Sequence, residues 1–353
     1  MEDIAIGAAV LGTGGGGDPY LGKVMAVEAI RRCGPVQLIS IEEVPLDALT
    51  VLSAGMGAPT ILVEKLFEIG AATEAFLTLE KYLGTKVYAT MSAEIGGANS
   101  IMPLVVAAEL GIPVVDADTM GRAFPELQMV IPTLYGISAT PMAIADEKGN
   151  SAILNTINNK WSETFARSIT IDMGAMAMIA LYALTGEQLR EAVVPDTMTL
   201  AEEVGWAIRE TRGSTKEIVD AILNITKGYL IFKGKIIDVQ RRTVAGFARG
   251  EAIFEGTDEY AGRTLKIEFQ NEHLVAEVDG QIVVSVPDLI TILDAETAQP
   301  ITTEALRYGF RVVVLGLPCT SKWRTPEGLA LVGPRYFGYD IDYVPVEERF
   351  GGH

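Results

Sequence analysis

Apolar positions in the first third of the chain alternate between short continuous runs and helically spaced stretches. "VQLISIEEV" (36–44), "LTVLSAGMG" (49–57), "TKVYATMS" (85–92) and "IPVVDADTMG" (112–121) are runs that end in small or acidic residues, the pattern of buried strands. Between them, 60–84 and 98–111 carry helical spacing and close on Gly84 and Gly111. The alternation predicts an α/β N-terminal domain with a largely parallel sheet, whose ligand sites lie at the carboxyl ends of strands.

A strand pair is predicted over 141–154, turned by Asp146–Asn150. The texture then changes: 163–186, 199–212 and 214–226 read as helices, and from about 228 the chain becomes β-rich. These shifts place a boundary near residue 165, giving an N-terminal domain (1–165) and a C-terminal domain (166–353) of helices followed by a β-rich part. The longest apolar run, 169–186, contains Asp172 and is too short for a membrane span. It is expected to be a buried helix at a subunit interface, making the protein a homo-oligomer, although burial within one chain serves equally well.

Charge narrows the function classes. A net charge of −18 over 353 residues, with Lys and Arg nowhere concentrated, argues against nucleic acid as a partner and leaves small molecules, anionic ones included. Two distant cysteines, Cys33 and Cys319, and no basic stretch leading into an apolar run at the start make the cytoplasm the expected location, with no membrane partner. With only His273 and His353, a multi-histidine zinc site is excluded, while an oxygen-ligated divalent cation stays open. His273 lies in "QNEHLV", read as an exposed turn.

"LGTGGGGDPYLGKV" (11–24) overlays two nucleotide motifs. Gly12, Gly14 and Gly17 match G-x-G-x-x-G, and Glu42 and Glu43 follow at about the distance of a ribose-binding acid. That fingerprint needs a preceding strand, and "DIAIGAAVL" reads as a helix as readily. A P-loop over Gly17–Val24 is rejected, because Val24 replaces the magnesium-binding hydroxyl and Pro19 removes an N–H. Asp18 and Pro19 fit an N-cap and first helical residue of a helix ending at Gly34. Capping leaves Gly14, Gly15, Gly16 and Gly17 unexplained, and bare backbone there implies close approach either to a ligand or to another chain segment.

Three further stretches carry chemistry. "MSAEIGGANS" puts Glu94 at a strand end with Asn99 and Ser100 opening a helix, either a site or a capping arrangement. "VVDADTMGRAFPELQM" gathers Asp116, Asp118, Arg122 and Glu126, which could bind a polar substrate, tune a carboxyl for base chemistry, hold a cation, or form an internal ion pair. "LPCTSKWRTPEGLALVGPRYFGYD" (317–340) offers Trp323 on a loop suited to closing over a ligand or making a domain contact, and Cys319, a weak nucleophile candidate.

Together "LGTGGGGDPYLG", "EIGGANS", "DADTMGRAFPELQM" and "GLALVGPRYFGYD" resemble the family named after an S-methyl-thiohydantoin desulfurase domain, often encoded beside hydantoinase/oxoprolinase proteins. The resemblance covers nearly the whole chain and implies an enzyme acting on hydantoin-like rings or related cyclic amides; the residues are compatible with that, because replacing S-methyl by oxygen needs an activated water. Asp116 or Asp118 is then the expected general base and Glu94 its proton partner. Thr13, the glycine-loop N–H groups with Asp18, and Asn99, Arg122, Glu126 and Trp323 are expected to bind substrate. Two alternatives remain: a non-catalytic partner of a hydantoinase/oxoprolinase-type enzyme, and a nucleotide-binding enzyme using Gly12–Gly17.

Overall fold

The computed structural model describes residues 1–57, 70–244 and 246–351. The chain opens with two helices, α1 (Glu2–Leu11) and α2 (Pro19–Cys33), so the glycine loop connects helix to helix. Asp18 caps α2, accepting the Tyr20 N–H at 2.8 Å, and Pro19 occupies its first position. A mixed seven-stranded sheet follows: β1 (Leu38–Ile39), β2 (Leu49–Gly57), β3 (Ala89–Ser92), β4 (Val114–Val115), β6 (Met142–Ala145), β7 (Ser151–Leu154) and β8 (Met176–Thr185), in the order β1-β4-β3-β2-β8-β6-β7. Its first four strands are parallel, and β8, β6 and β7 add antiparallel. Helices α3 (Gly70–Leu83) and α4 (Met102–Leu110) supply crossovers; residues 60–69 of the longer helix expected over 60–84 lie outside the described residues.

Two predicted strands are shorter than expected. The run 36–44 forms only β1 before turning through Ile41–Glu43, and 112–121 breaks at Asp116 into β4 and β5 (Ala117–Asp118), which pairs instead with β9 (Val194–Pro195).

The helix expected over 163–186 is corrected. Helix α5 (Asn159–Asp172) ends there, Gly174 and Ala175 take positive φ, and β8 runs between β2 and β6 in the middle of the sheet. A strand covered on both faces shows no alternation, so its apolar run imitates a buried helix. The apolar segment is buried by its own sheet, and the N-terminal sheet thereby takes a strand from beyond residue 165.

Helices α6 (Thr197–Glu210) and α7 (Thr215–Thr226) form as expected, α6 packing against α1. A second seven-stranded sheet then follows, all antiparallel: β10 (Tyr229–Val244), β11 (Phe247–Gly256), β12 (Thr264–Gln270), β13 (Glu272–Val278), β14 (Gln281–Ser285), β15 (Leu289–Asp294) and β16 (Arg311–Leu317), ordered β14-β13-β12-β11-β10-β16-β15. One set of its side chains, including Phe232, Phe254 and Ile267, forms a separate cluster. Another, including Leu274, Leu289 and Leu315, merges with the N-terminal core, so a single apolar interior spans both halves. Among the described residues no helix is long and apolar enough to cross a membrane.

Candidate active site

The carboxyl-terminal part of β2 and the loop after β3 meet the start of β13 around a cavity of about 110 Å³. That is on the scale of the roughly 150 Å³ void that accepts a benzene ring. Leu52, Met56, Met102, Met176 and Met178 contribute apolar wall, and Glu94, Asn99, Asn271 and Glu272 are among the polar groups that line it.

Glu94 follows β3 directly and is buried. Its Oε1 accepts Asn99 Nδ2–H at 2.6 Å and its Oε2 accepts the Phe124 N–H at 3.3 Å. Asn99 is itself fixed to the end of β2: its Oδ1 accepts the Gly55 N–H at 2.7 Å, and Nδ2 also donates to Gly55 O at 3.2 Å. Burial pushes the Glu94 carboxyl up to about 7, against the opposing pull of Asn99, the Phe124 N–H and the Arg122 charge. Glu272, at the start of β13, is pushed well above the ordinary carboxylate range by burial and then by the nearby Glu94 charge.

The glycine loop makes a chain crossing at this cavity. Thr13 O accepts the His273 N–H, Gly14 O accepts the Thr303 N–H, and Thr13 Oγ1 donates to Ile290 O at 3.0 Å, tying the loop to the second sheet. A Cβ on Gly15 would lie 1.9 Å from Glu272 Oε1, and one on Gly16 would lie 2.2 Å from Gly96 O. Only Gly16 and Gly17 of the loop line the cavity. The Gly15 N–H is used by Gly12 O, the Gly16 N–H faces Glu272, and the Gly16 and Gly17 carbonyls accept the Asn99 and Ala98 N–H groups. Thr13, Gly14, Gly15 and Asp18 are therefore structural neighbours of the site rather than part of its lining.

The Gly12–Gly17 loop departs from the setting that the dinucleotide fingerprint requires. The residue before Gly12 ends a helix, Glu42 and Glu43 lie in a 3₁₀ turn where Glu43 caps Ser40, and the cavity is of single-ring size.

Asp116 and Asp118 are not brought to the cavity. Asp116 Oδ1 accepts the Met198 and Thr199 N–H groups at 2.9 and 3.2 Å and Oδ2 accepts the Thr199 hydroxyl, so this carboxylate caps α6. Asp118, fully buried, accepts the Ile95, Met120 and Gly121 N–H groups and shapes the loop between them. The break at Asp116, between β4 and β5, sends the two carboxylates to different partners.

Arg122 ion-pairs with neither Asp116 nor Glu126. Fully buried, it donates to the carbonyls of Ala123, His273, Pro287 and Asp288 and stacks 4.5 Å from the Phe124 ring centroid, clamping the two halves together. Glu126 does reach the cavity edge, held by Lys160, Gln128 and the Tyr336 hydroxyl. Trp323 is fully buried rather than poised on a closing loop: its indole donates to Met120 O at 2.7 Å and meets Phe124 edge-on at 5.3 Å. Cys319 is buried, and burial pushes its thiol up to about 12, a setting that disfavours the thiolate.

His273 is also corrected: it is fully buried, not exposed. Its Nδ1 sits 2.8 Å from Ile290 O, and a carbonyl only accepts, so Nδ1 carries the proton and Nε2 faces Thr303 Oγ1 at 3.3 Å. Sequence reasoning passed over Glu272, Asn271, Glu163 and Arg167, which line the cavity. The last two form an ion pair at 2.8 Å along α5, a spacing of four residues visible in the sequence. Among the described residues no group of three His, Cys, Asp or Glu side chains converges to hold a metal ion.

This architecture, an α/β half and an antiparallel-sheet half enclosing a carboxyl-bearing cavity, defines a two-part protein whose site lies where the halves meet. The chain belongs to the S-Me-THD-like family: the S-Me-THD-like N-terminal domain matches residues 1–156 and the S-Me-THD-like C-terminal domain matches 157–346. It shares its fold with a crystal structure of a protein from Chromobacterium violaceum, at a TM-score of 0.81 and 24% identity, covering 98% of this chain and 97% of that one. No functionally curated protein matches the chain.

Proposed function

We propose that this protein hydrolyses the C–S bond of an S-methyl-thiohydantoin or a closely related cyclic amide. The reading is carried by Glu94, a buried carboxyl inside a ring-sized cavity whose ionisation is raised into the neutral range. A base so tuned is partly ionised at cytoplasmic pH and still accepts a proton readily. Glu94 takes a proton from water, the oxygen attacks the ring carbon bearing sulfur, and the C–S bond breaks, leaving a ring carbonyl and methanethiol. Asn99 and the Phe124 N–H fix the carboxylate, while the methionine-rich wall offers polarizable surface to an S-methyl group. The family membership supports the same substrate class.

The test is incubation of purified protein with S-methyl-thiohydantoin, following methanethiol with a thiol reagent and the ring product by mass. Stoichiometric appearance of both is expected. Binding without release of either product would overturn hydrolysis and favour a non-catalytic role beside a hydantoinase-type partner.

A further inference from the structure

We infer that Glu272 is the proton donor of the site, carrying the proton of a two-carboxyl pair and delivering it to the departing sulfur. The inference rests on the hydrolytic reading above and adds a second catalytic group, supplied by the other half of the chain.

Glu94 and Glu272 line one cavity but differ in their hydrogen bonding. Both Glu94 oxygens accept N–H groups, a setting that favours the anion. Glu272 Oε2 is buried and has no hydrogen-bond partner, and among the described residues no ion pair reaches this carboxyl. Arg122, whose charge pulls the other way, directs its guanidinium donors to backbone carbonyls and not to this carboxyl. A buried carboxylate with one oxygen unpartnered is disfavoured even with the Gly16 N–H facing the group, and two carboxyls that line one cavity do not both ionise readily. The proton of the pair therefore resides on Glu272, and its unpartnered oxygen is free to donate to a bound molecule. Space for the carboxyl depends on Gly15, whose absent Cβ leaves room for Oε1.

The proton balance closes. Ionised Glu94 takes one proton of water as the C–O bond forms and the C=N π pair moves onto the ring nitrogen, which receives the second proton of that water as the ring carbonyl forms. As the C–S bond breaks, the electron pair goes to sulfur and Glu272 supplies its proton, so methanethiol leaves neutral. The cycle ends with Glu94 protonated and Glu272 ionised, and transfer of one proton between them restores the start.

The decisive comparison uses two leaving groups, S-methyl and the more acidic S-(2,2,2-trifluoroethyl), on wild-type protein and Glu272→Gln. A departing thiolate of low basicity needs no proton, so the variant is expected to lose about a hundredfold or more in kcat with S-methyl but less than about tenfold with S-trifluoroethyl. Equal losses with both substrates, in a wild type active on both, would overturn the donor role and leave the hydrolytic reading standing. Infrared difference spectra between wild type and Glu272→Gln at neutral pH provide the second readout. A carboxylic-acid band present only in the wild type is expected, and its absence would remove the proton from Glu272. If the wild type releases thiol from neither substrate, hydrolysis and delivery to sulfur both fall, and the infrared band alone decides where the proton resides.

Discussion

Gly15 and Glu272, 257 positions apart in the chain, occupy adjoining space: a Cβ on the glycine would lie 1.9 Å from the glutamate Oε1. The bare backbone of the loop thus makes room for a carboxyl of the second sheet. Its neighbour Gly16 has a different constraint, with φ at +82° and the Gly96 carbonyl carbon and oxygen where a Cβ would go.

The two glycines should respond differently to alanine. Gly15→Ala meets the far end of a flexible side chain and is expected to fold while displacing Glu272, so turnover falls more than stability. Gly16→Ala meets rigid backbone in a left-handed conformation and is expected to cost about 2–5 kcal/mol in denaturant unfolding. Equal unfolding midpoints for the two variants would contradict this assignment.

Replacing Glu94 by Gln should lower kcat by about 10²–10⁴-fold. In the wild type the rate should rise with pH through about 7 as Glu94 ionises, and that limb should vanish in the variant. Stability carries the opposite sign. The unfolded carboxyl ionises near 4.5 and the folded one near 7, so the folded state binds the extra proton between them and stability falls as pH rises through this window. Glu94→Gln should flatten that slope, which a series of unfolding curves from pH 4 to 8 would measure.

The legibility of this site in the sequence follows from the range of its contacts. Glu94 and Asn99 were visible because a strand end, a glycine pair and a helical turn lie within a few residues, and the hydrogen bond that joins the two side chains is local. Glu272 and His273 were not: two polar residues beside Asn271 look like an exposed turn, and only insertion of residues 13–16 buries them. Helices α2, α6 and α7 were legible through caps and spacing, whereas β8 was hidden because a strand covered on both faces lacks a period. Its one local signal was Gly174, which separates helix from strand. Asp116 and Asp118 misled for a related reason, since the break at Asp116 sets apart β5, whose partner β9 comes nearly eighty residues later.

Arg122→Met should uncouple the two halves. Four carbonyls from both sides of the junction would lose their donor, at about 3–5 kcal/mol. Calorimetry is expected to turn one unfolding transition into two. A single transition at the wild-type temperature would show that apolar contact alone holds the halves together.

His273 should remain neutral in mildly acidic solution. Burial, reinforced by the Arg122 charge, holds its imidazole down to about 4, while the unfolded ring titrates near 6.5. Its contribution to stability is therefore present above about 6.5 and is lost as pH falls from there toward 4. Nitrogen-resolved NMR at pH 6 should find the neutral Nδ1–H tautomer; an Nε2–H tautomer would be incompatible with the bond to Ile290 O, and an imidazolium with the downward shift that burial imposes.

The clasp between Thr13 and Ile290 also sets a schedule for biosynthesis. The two residues are separated by 277 positions, so Thr13 leaves the ribosome with its partner still unmade. At about 5–20 residues per second the wait is roughly 15–55 s. Throughout that interval the first helix and its glycine loop have no second sheet to grip. Glu94 can be positioned early by its own half, but the cavity closes only after β13 and β15 have been made. A nascent chain halted before β15 would carry the base without the enclosure that tunes it.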